Sequence, residues 1–170
     1  FRRLSILHLD QMKIVDSWAR QSIYQIRHKQ TLDGRDPVAV ALDLWMRRPD
    51  YADANIIYVE SVPVREQLAK LAATQVESER ILHDGTVSYR FLKEPGATAL
   101  LQQLQMNSTT TKAAGQVELA MNTFDTLGET FFICPPDAGH RNTAWHHPIE
   151  LWANVSGGAD ELKKLGFINP

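Results

Sequence analysis

Small and apolar residues recur at helical spacing over residues 15–26, which is the clearest periodic signal in the chain. Their spacing places them on one face of a helix, with polar residues such as Arg20 and Arg27 on the other side. The members of this stripe are Val15, Trp18, Ala19, Ser22, Ile23 and Ile26. We therefore predict an amphipathic helix in which Trp18 is a core anchor, because burying an indole removes a large apolar area from water.

A second helix is predicted to begin at Asp36–Pro37, with Asp36 as N-cap and Pro37 at the first helical position. Its expected core stripe is Val38, Ala41, Leu42 and Trp45, and Pro49 is expected to end it. Helical patterns also follow Ser61, Gly96 and Thr111, and a short one covers Ala159–Leu165.

Short apolar runs predict a few strands between these helices. They are Leu4–Leu9 with a return through Met12–Ile14, Asn55–Glu60, and Thr130–Cys134, to which Asp84–Gly85 adds a predicted hairpin within Glu79–Leu92. Because helices outnumber strands and do not alternate regularly with them, we predict an α+β fold. It is mainly helical, with about five helices around a small sheet, in a single soluble domain over residues 1–170.

Composition narrows the functional classes. The chain has 170 residues, of which 44% are hydrophobic and 22% charged, and its net charge is −2. A nucleic-acid binder normally shows a basic face, and the slightly negative net charge argues against this class of protein. The single cysteine, Cys134, forms no internal disulfide and is interpreted as a small buried hydrophobe rather than a nucleophile. The chain contains no local enzyme motif of the Walker A, GxGxxG, GxSxG or HExxH type and no CxxCH, so we expect a non-enzymatic protein.

Potential ligand side chains are most concentrated in the loop from His140 to His147, which also contains Trp145 and His146. Three imidazoles in one loop could ligate a metal or a haem iron. However, neighbouring residues of an extended chain face opposite ways, which places His146 and His147 poorly for sharing one ion. We therefore favour ordinary loop histidines with Trp145 as a packing anchor, and keep this loop as a candidate binding site. Asp16 and Arg20, four residues apart on the first helix, are further candidates as an ion pair, and Asp16 alternatively as a cap.

The run from Ser5 to Arg20 resembles the opening of the extracytoplasmic segment of CcsA/ResC-type cytochrome c biogenesis proteins, including the ResB–CcsA fusions. The second half of that opening matches the family pattern at Asp16, Ser17 (in place of Thr), Ala19 and Arg20. The first half departs from the pattern at Ser5, Asp10, Gln11 and Ile14. The order of Leu32–Gly34, Asp36–Pro37, Trp45 and Ile56–Val59 also follows the family, so that the resemblance covers about the first 70 residues.

This resemblance implies an accessory or binding module of a cytochrome c maturation membrane protein, excised from a larger chain. The module would lie on the extracytoplasmic (periplasmic) face, tethered to the cytoplasmic membrane through its parent. It implies no cofactor in this segment, because the tryptophan-rich motif to which haem handling is attributed in the family is missing here. The implied partners are the remainder of the parent protein and apocytochrome c. Two alternatives stay open, which are a small-molecule, haem or metal-binding domain using the His140–His147 loop, and an interaction domain without any link to haem.

Overall fold

The computed structural model describes residues 2–8, 11–129 and 132–133, together with the single positions 149, 153 and 160. Eight helices occur in this part of the chain, namely α1 Val15–Arg27, α2 Pro37–Met46, α3 Arg48–Tyr51, α4 Val62–Ala69, α5 Gln75–His83, α6 Tyr89–Lys93, α7 Pro95–Gln105 and α8 Thr111–Thr126. The strands are β1 Ser5–His8, β2 Gln11–Ile14, β3 Ile57–Tyr58, β4 Thr86–Val87 and β5 Phe132–Ile133. The α+β, mainly helical prediction is confirmed, although short helices such as α3 and α6 raise the number above the five expected.

The described residues divide into two compact units, one formed by residues 2–18 with those from Gly128 onward and the other by Ala19–Leu127. The prediction of one domain over residues 1–170 stays a prediction. No helix within the described ranges is long and apolar enough to cross a membrane.

The first unit contains an antiparallel sheet in the order β2-β1-β5. Ser5 pairs with Ile14 across the hairpin, and Ile6 pairs with Ile133 on the other side of β1. The start of α1 is tied to this sheet by backbone, because the Val15 N–H donates to the Leu4 carbonyl over 2.9 Å. That bond satisfies one of the donors that every helix N-terminus leaves open.

Helix α1 buries the predicted stripe completely. All of its members are buried, and the Trp18 side chain is 0% exposed. The face of α2 was predicted less well, because its buried residues include Val40 and Leu44, whereas Leu42 and Trp45 are only partly buried. Almost every position of α2 is apolar, so periodicity does not single out one side. The predicted cap is confirmed, since the Asp36 carboxylate accepts from the Ala39 N–H over 3.0 Å.

The second unit contains the antiparallel pair β3-β4, in which Ile57 lies opposite Val87 and Tyr58 opposite Thr86. The predicted hairpin at Asp84–Gly85 is wrong, because α5 runs up to His83 and Gly85 follows its C-cap Asp84. Gly85 has φ +67°, the left-handed conformation in which helices commonly end. The same dipeptide therefore ends a helix before β4 instead of joining two strands.

Helices α2 and α3 are linked by a polar cluster around Asp43. Its carboxylate accepts hydrogen bonds from the Tyr51 hydroxyl over 2.5 Å and from Arg35 Nη2 over 2.9 Å. These two bonds, that from Tyr51 first, hold the pKa of Asp43 below its ordinary value of 3.8.

Replacing Asp43 by asparagine is expected to lower the free energy of unfolding at neutral pH by about 1–2 kcal/mol, as two hydrogen bonds to a charged acceptor weaken. A carboxyl whose pKa is lower in the folded state stabilises the fold above its unfolded pKa, and this contribution disappears as the pH falls through the folded-state value. The difference between wild type and Asp43→Asn should thus shrink in acid below the ordinary value of 3.8. Urea denaturation at several pH values measures this difference in the free energy of unfolding.

Asp50→Asn is the control, because it removes the more exposed Arg47–Asp50 pair and should cost about 0–1 kcal/mol. An equal loss of stability in both variants would contradict the prediction.

Candidate functional site

A cleft of about 470 Å³ in the second unit is the candidate site. It lies where the end of α1 meets the strand pair β3-β4, and it is lined by Arg27, His28, Lys29, Tyr58, Asp84 and Thr86. Its size is within the range of pockets that hold small ligands or short chain segments. Its lining residues belong to the end of α1 and the two residues after it, to β3 and β4, and to the C-cap of α5.

The end of α1 places three consecutive basic residues at this cleft. Helix α1 ends at Arg27, and His28 follows in the left-handed conformation with φ +55°. Its N–H still donates to the Tyr24 carbonyl over 2.8 Å, which closes the last turn. Histidine is among the residues that tolerate this conformation better than most. Arg27 Nη1 donates to the Asn55 carbonyl over 3.5 Å, and Lys29 is exposed.

The imidazole of His28 is held between two tyrosines. Its ring is stacked on Tyr24, with centroids 5.6 Å apart and an interplanar angle of 13°. On the other side the Tyr58 ring is tilted by 52° at 5.5 Å. His28 Nδ1 also lies 3.6 Å from Glu60 Oε2. These contacts restrict the ring's orientation at the wall of the cleft.

Behind Tyr58 lies a buried guanidinium, that of Arg65, which is only 9% exposed. Arg65 Nη2 donates to the Tyr58 hydroxyl over 2.8 Å, and Nε donates to the Val59 carbonyl over 2.5 Å. The guanidinium carbon also lies 5.0 Å from the centroid of the Tyr58 ring. A buried cation thus holds the Tyr58 side chain in place by donating a hydrogen bond to its hydroxyl.

Gly85 makes room for this guanidinium. A Cβ at position 85 would overlap the Arg65 side chain at Cζ, Nη2 and Nε. The Gly85 carbonyl accepts from the Val59 N–H over 2.8 Å, which extends the pairing of β3 with β4 by one step. Gly85 therefore combines a left-handed backbone with the close approach that the buried arginine requires.

A second polar cluster in the same unit has a different character. The Tyr89 hydroxyl on α6 donates to Asp125 Oδ1 on α8 over 2.5 Å, and Lys93 Nζ lies 3.2 Å from Asp125 Oδ2. Burial, and then the hydrogen bond to Asp125, raises the pKa of Tyr89 above its ordinary 10.0. A phenol shifted in this direction is a poorer source of phenolate at neutral pH, so the cluster ties α6 to α8 rather than offering a base.

The sequence-predicted site residues are only partly placed. Several candidate residues lie outside the described residues, namely Cys134, His140, Trp145, His146 and His147, so that ordinary loop histidines with Trp145 as a packing anchor stay a prediction. Asp16 lies in the first turn of α1, which begins at Val15, so it is not the N-cap. Its carboxylate lies 4.0 Å from Arg2 Nη1. The proposed Asp16–Arg20 pair stays a prediction.

Sequence reasoning missed the cleft. The sequence places Arg27 on the polar face of α1 and Tyr58 within a predicted strand, and neither pattern indicates a common site. The local signal that could have raised attention is the basic run Arg27–His28–Lys29 directly after an amphipathic helix. Among the residues that the structure describes, no group of three or more His, Cys, Asp or Glu side chains is arranged to hold a metal ion.

Comparison with known proteins adds no assignment, because no family model matches the chain and no curated protein matches it significantly.

Proposed function

We propose that this chain is a non-enzymatic binding module of a cytochrome c maturation membrane protein, held on the extracytoplasmic face by its parent, and that the cleft at the end of α1 is its binding surface. The observation that carries the proposal is the basic and aromatic wall of this cleft. Positive and aromatic side chains on rigid elements are typical of recognition surfaces, because they supply charge complementarity and contact area at low entropic cost.

The position of the cleft in the chain supports the link to cytochrome maturation. Arg27, His28, Lys29 and Tyr58 all fall within the first 70 or so residues, the stretch that carries the family resemblance. The helix whose end forms the wall is the one that begins with the matching residues Asp16, Ser17, Ala19 and Arg20. Helix α1 therefore carries the matching residues at its start and contributes Arg27 to the cleft at its end.

In this proposal the module carries no cofactor, and haem is handled elsewhere in the parent protein. Its partners are the remainder of the parent and apocytochrome c. The role of the module is to hold one of these against the haem-attachment machinery.

The test uses Lys29→Glu in the full-length parent protein. Lys29 is exposed at the cleft, so reversing its charge should leave the fold intact while opposing an anionic partner. We expect the yield of haem-loaded cytochrome c, measured by haem staining at matched parent abundance, to fall by about tenfold or more. Lys112→Glu, at an exposed position of α8 away from the cleft lining, makes the same charge change and should leave the yield unchanged.

The same assay separates the alternatives. If His146→Ala or His147→Ala abolishes the yield while Lys29→Glu has no effect, the function belongs to the His140–His147 loop. If none of these variants changes the yield, the proposed function of the cleft and its alternative in the His140–His147 loop are both rejected.

A further inference from the structure

We propose that the cleft binds a carboxylate-bearing segment of a partner protein, with the Tyr58 hydroxyl as the donor that recognises the carboxylate. This assignment rests on the proposed function, in that the cleft is taken as the binding surface. It adds the chemical class of the ligand and the group that selects it.

The first argument is the direction of the hydrogen bonds at Tyr58. The hydroxyl oxygen accepts from Arg65 Nη2 over 2.8 Å, and Tyr58 itself lines the cleft. A tyrosine hydroxyl has one proton to donate, and within the described part of the chain no acceptor takes it. Accepting from a guanidinium polarises the O–H bond and makes it a stronger donor. The cleft therefore holds an activated donor without a described acceptor, and a ligand oxygen would complete the chain of bonds.

The second argument is the charge behind the donor. Arg65 is nine-tenths buried, and no carboxylate among the described residues pairs with it, since its described hydrogen bonds go to the Val59 carbonyl and the Tyr58 hydroxyl. A buried charge that is compensated only by neutral acceptors is costly. An anion bound at Tyr58 would lie one hydrogen bond away from this cation and offset part of that cost.

The cations of α1 have a simpler explanation of their own. Arg27 and Lys29 lie at the helix C-terminus, where positive side chains complement the negative end of the dipole. That explanation does not extend to Arg65, which lies on α4 behind β3. The pair Tyr58–Arg65 is therefore the observation that points to a ligand.

The surrounding charges favour a carboxylate over a phosphate. The charged side chains that line the cleft are Arg27, Lys29 and Asp84. Arg65 and Glu60 do not line it, but they contact the lining residues Tyr58 and His28. With His28 counted as neutral, the three cations Arg27, Lys29 and Arg65 against the carboxylates of Asp84 and Glu60 leave one positive charge, which suits a monoanion. A phosphate carrying close to two negative charges would meet the additional repulsion of Asp84 and of the C-terminal end of α1.

The experiment measures the binding of labelled peptides to the purified chain by fluorescence anisotropy. One Gly/Ser peptide carries internal Asp and Glu and an amidated C-terminus, the second has Asn and Gln instead, and the third has no acidic side chain but a free C-terminal carboxylate. We expect the acidic peptide to bind at least about tenfold more tightly than its amide counterpart. Preference for the third peptide would identify the C-terminus as the source of the same carboxylate chemistry. Equal affinity for all three, or competition by inorganic phosphate at lower concentration than by acetate, would overturn the assignment.

Two variants locate the site. Tyr58→Phe keeps the ring and removes the donor. It should lower the affinity for the acidic peptide by roughly tenfold, the equivalent of one charge-assisted hydrogen bond. Lys29→Gln serves as a second variant, because an exposed side chain can be changed without affecting folding. Thermal unfolding of each variant checks that the fold is retained, and Lys112→Gln is the matched control. Unchanged affinity of a folded Tyr58→Phe variant for the acidic peptide would overturn the proposal, whatever the result for Lys29→Gln.

The two proposals fail separately. Suppose that Lys29→Glu lowers the cytochrome yield while all three peptides bind with equal affinity. That result would reject the carboxylate as the ligand and would leave the proposed function standing. Carboxylate-dependent binding without any loss of yield would support the ligand class and reject the link to cytochrome maturation.

Discussion

Replacing Trp18 by alanine is expected to lower the free energy of unfolding by roughly 3–5 kcal/mol. The side chain is 0% exposed, so its removal leaves a cavity as well as losing the burial of a large apolar area. Chemical denaturation followed by far-UV circular dichroism measures the change, because that signal does not depend on the deleted indole.

Trp45→Ala is the matched control for this variant. Trp45 is only partly buried on α2, so the same truncation there should cost clearly less. A loss below about 1 kcal/mol for Trp18→Ala, or a loss no larger than that of Trp45→Ala, would contradict the burial of Trp18 at the start of α1.

Replacing Gly85 by alanine is expected to cost roughly 2–5 kcal/mol. The left-handed backbone alone disfavours a Cβ by about 1–2 kcal/mol. A Cβ at this position would also overlap the buried Arg65 guanidinium, and such overpacking typically costs about 1–3 kcal/mol more. Because Arg65 holds the Tyr58 hydroxyl, this variant should also lose affinity for the acidic peptide. Denaturation and peptide binding together measure both effects.

Gly34→Ala provides a control with the same backbone conformation. Gly34 has φ +72° and no heavy atom within 4 Å of an added Cβ, so only the backbone penalty of roughly 1–2 kcal/mol applies. The difference between the two variants isolates the contact with Arg65. If both variants lose the same stability, Gly85 does not serve to accommodate the arginine.

Local patterns predicted α1 and the start of α2 well. In α1 one face is apolar and the other polar, so periodicity alone identifies the buried side, and every predicted member of the stripe is buried. At Asp36 the carboxylate and the following Pro37 act within one turn, so the cap does not depend on distant residues. Such features are determined by neighbours in the chain.

The wrong predictions concern features that are determined by residues distant in the sequence. Asp84–Gly85 is compatible with a hairpin turn or with a helix end; in the structure it ends α5, and the Gly85 carbonyl accepts from the Val59 N–H of the distant strand end. On α2 the nearly continuous apolar surface leaves the choice of buried face to its neighbours. Local sequence cannot resolve either case.

The cleft could not be predicted for a related reason. Its walls come from the end of α1, from β3 and from the junction of α5 with β4, which lie tens of residues apart in the sequence. Antiparallel pairing joins β3 to β4. The critical contact, Arg65 with Tyr58, joins a helix to a strand that carries no motif. Only the basic run after α1 is visible locally, and it has an adequate explanation in the helix dipole.

The sheet of the first unit has a consequence for the order in which the protein is made. Its central strand β1 is synthesised before α1, whereas β5, which pairs Ile133 with Ile6, is completed only after the whole of α1 to α8 has been produced. During translation one edge of β1 therefore stays without its β5 partner until residues 132–133 have been made. An exposed strand edge invites pairing with other chains. The interval between the synthesis of β1 and that of β5 is thus the period in which a nascent chain most needs protection from neighbouring nascent chains.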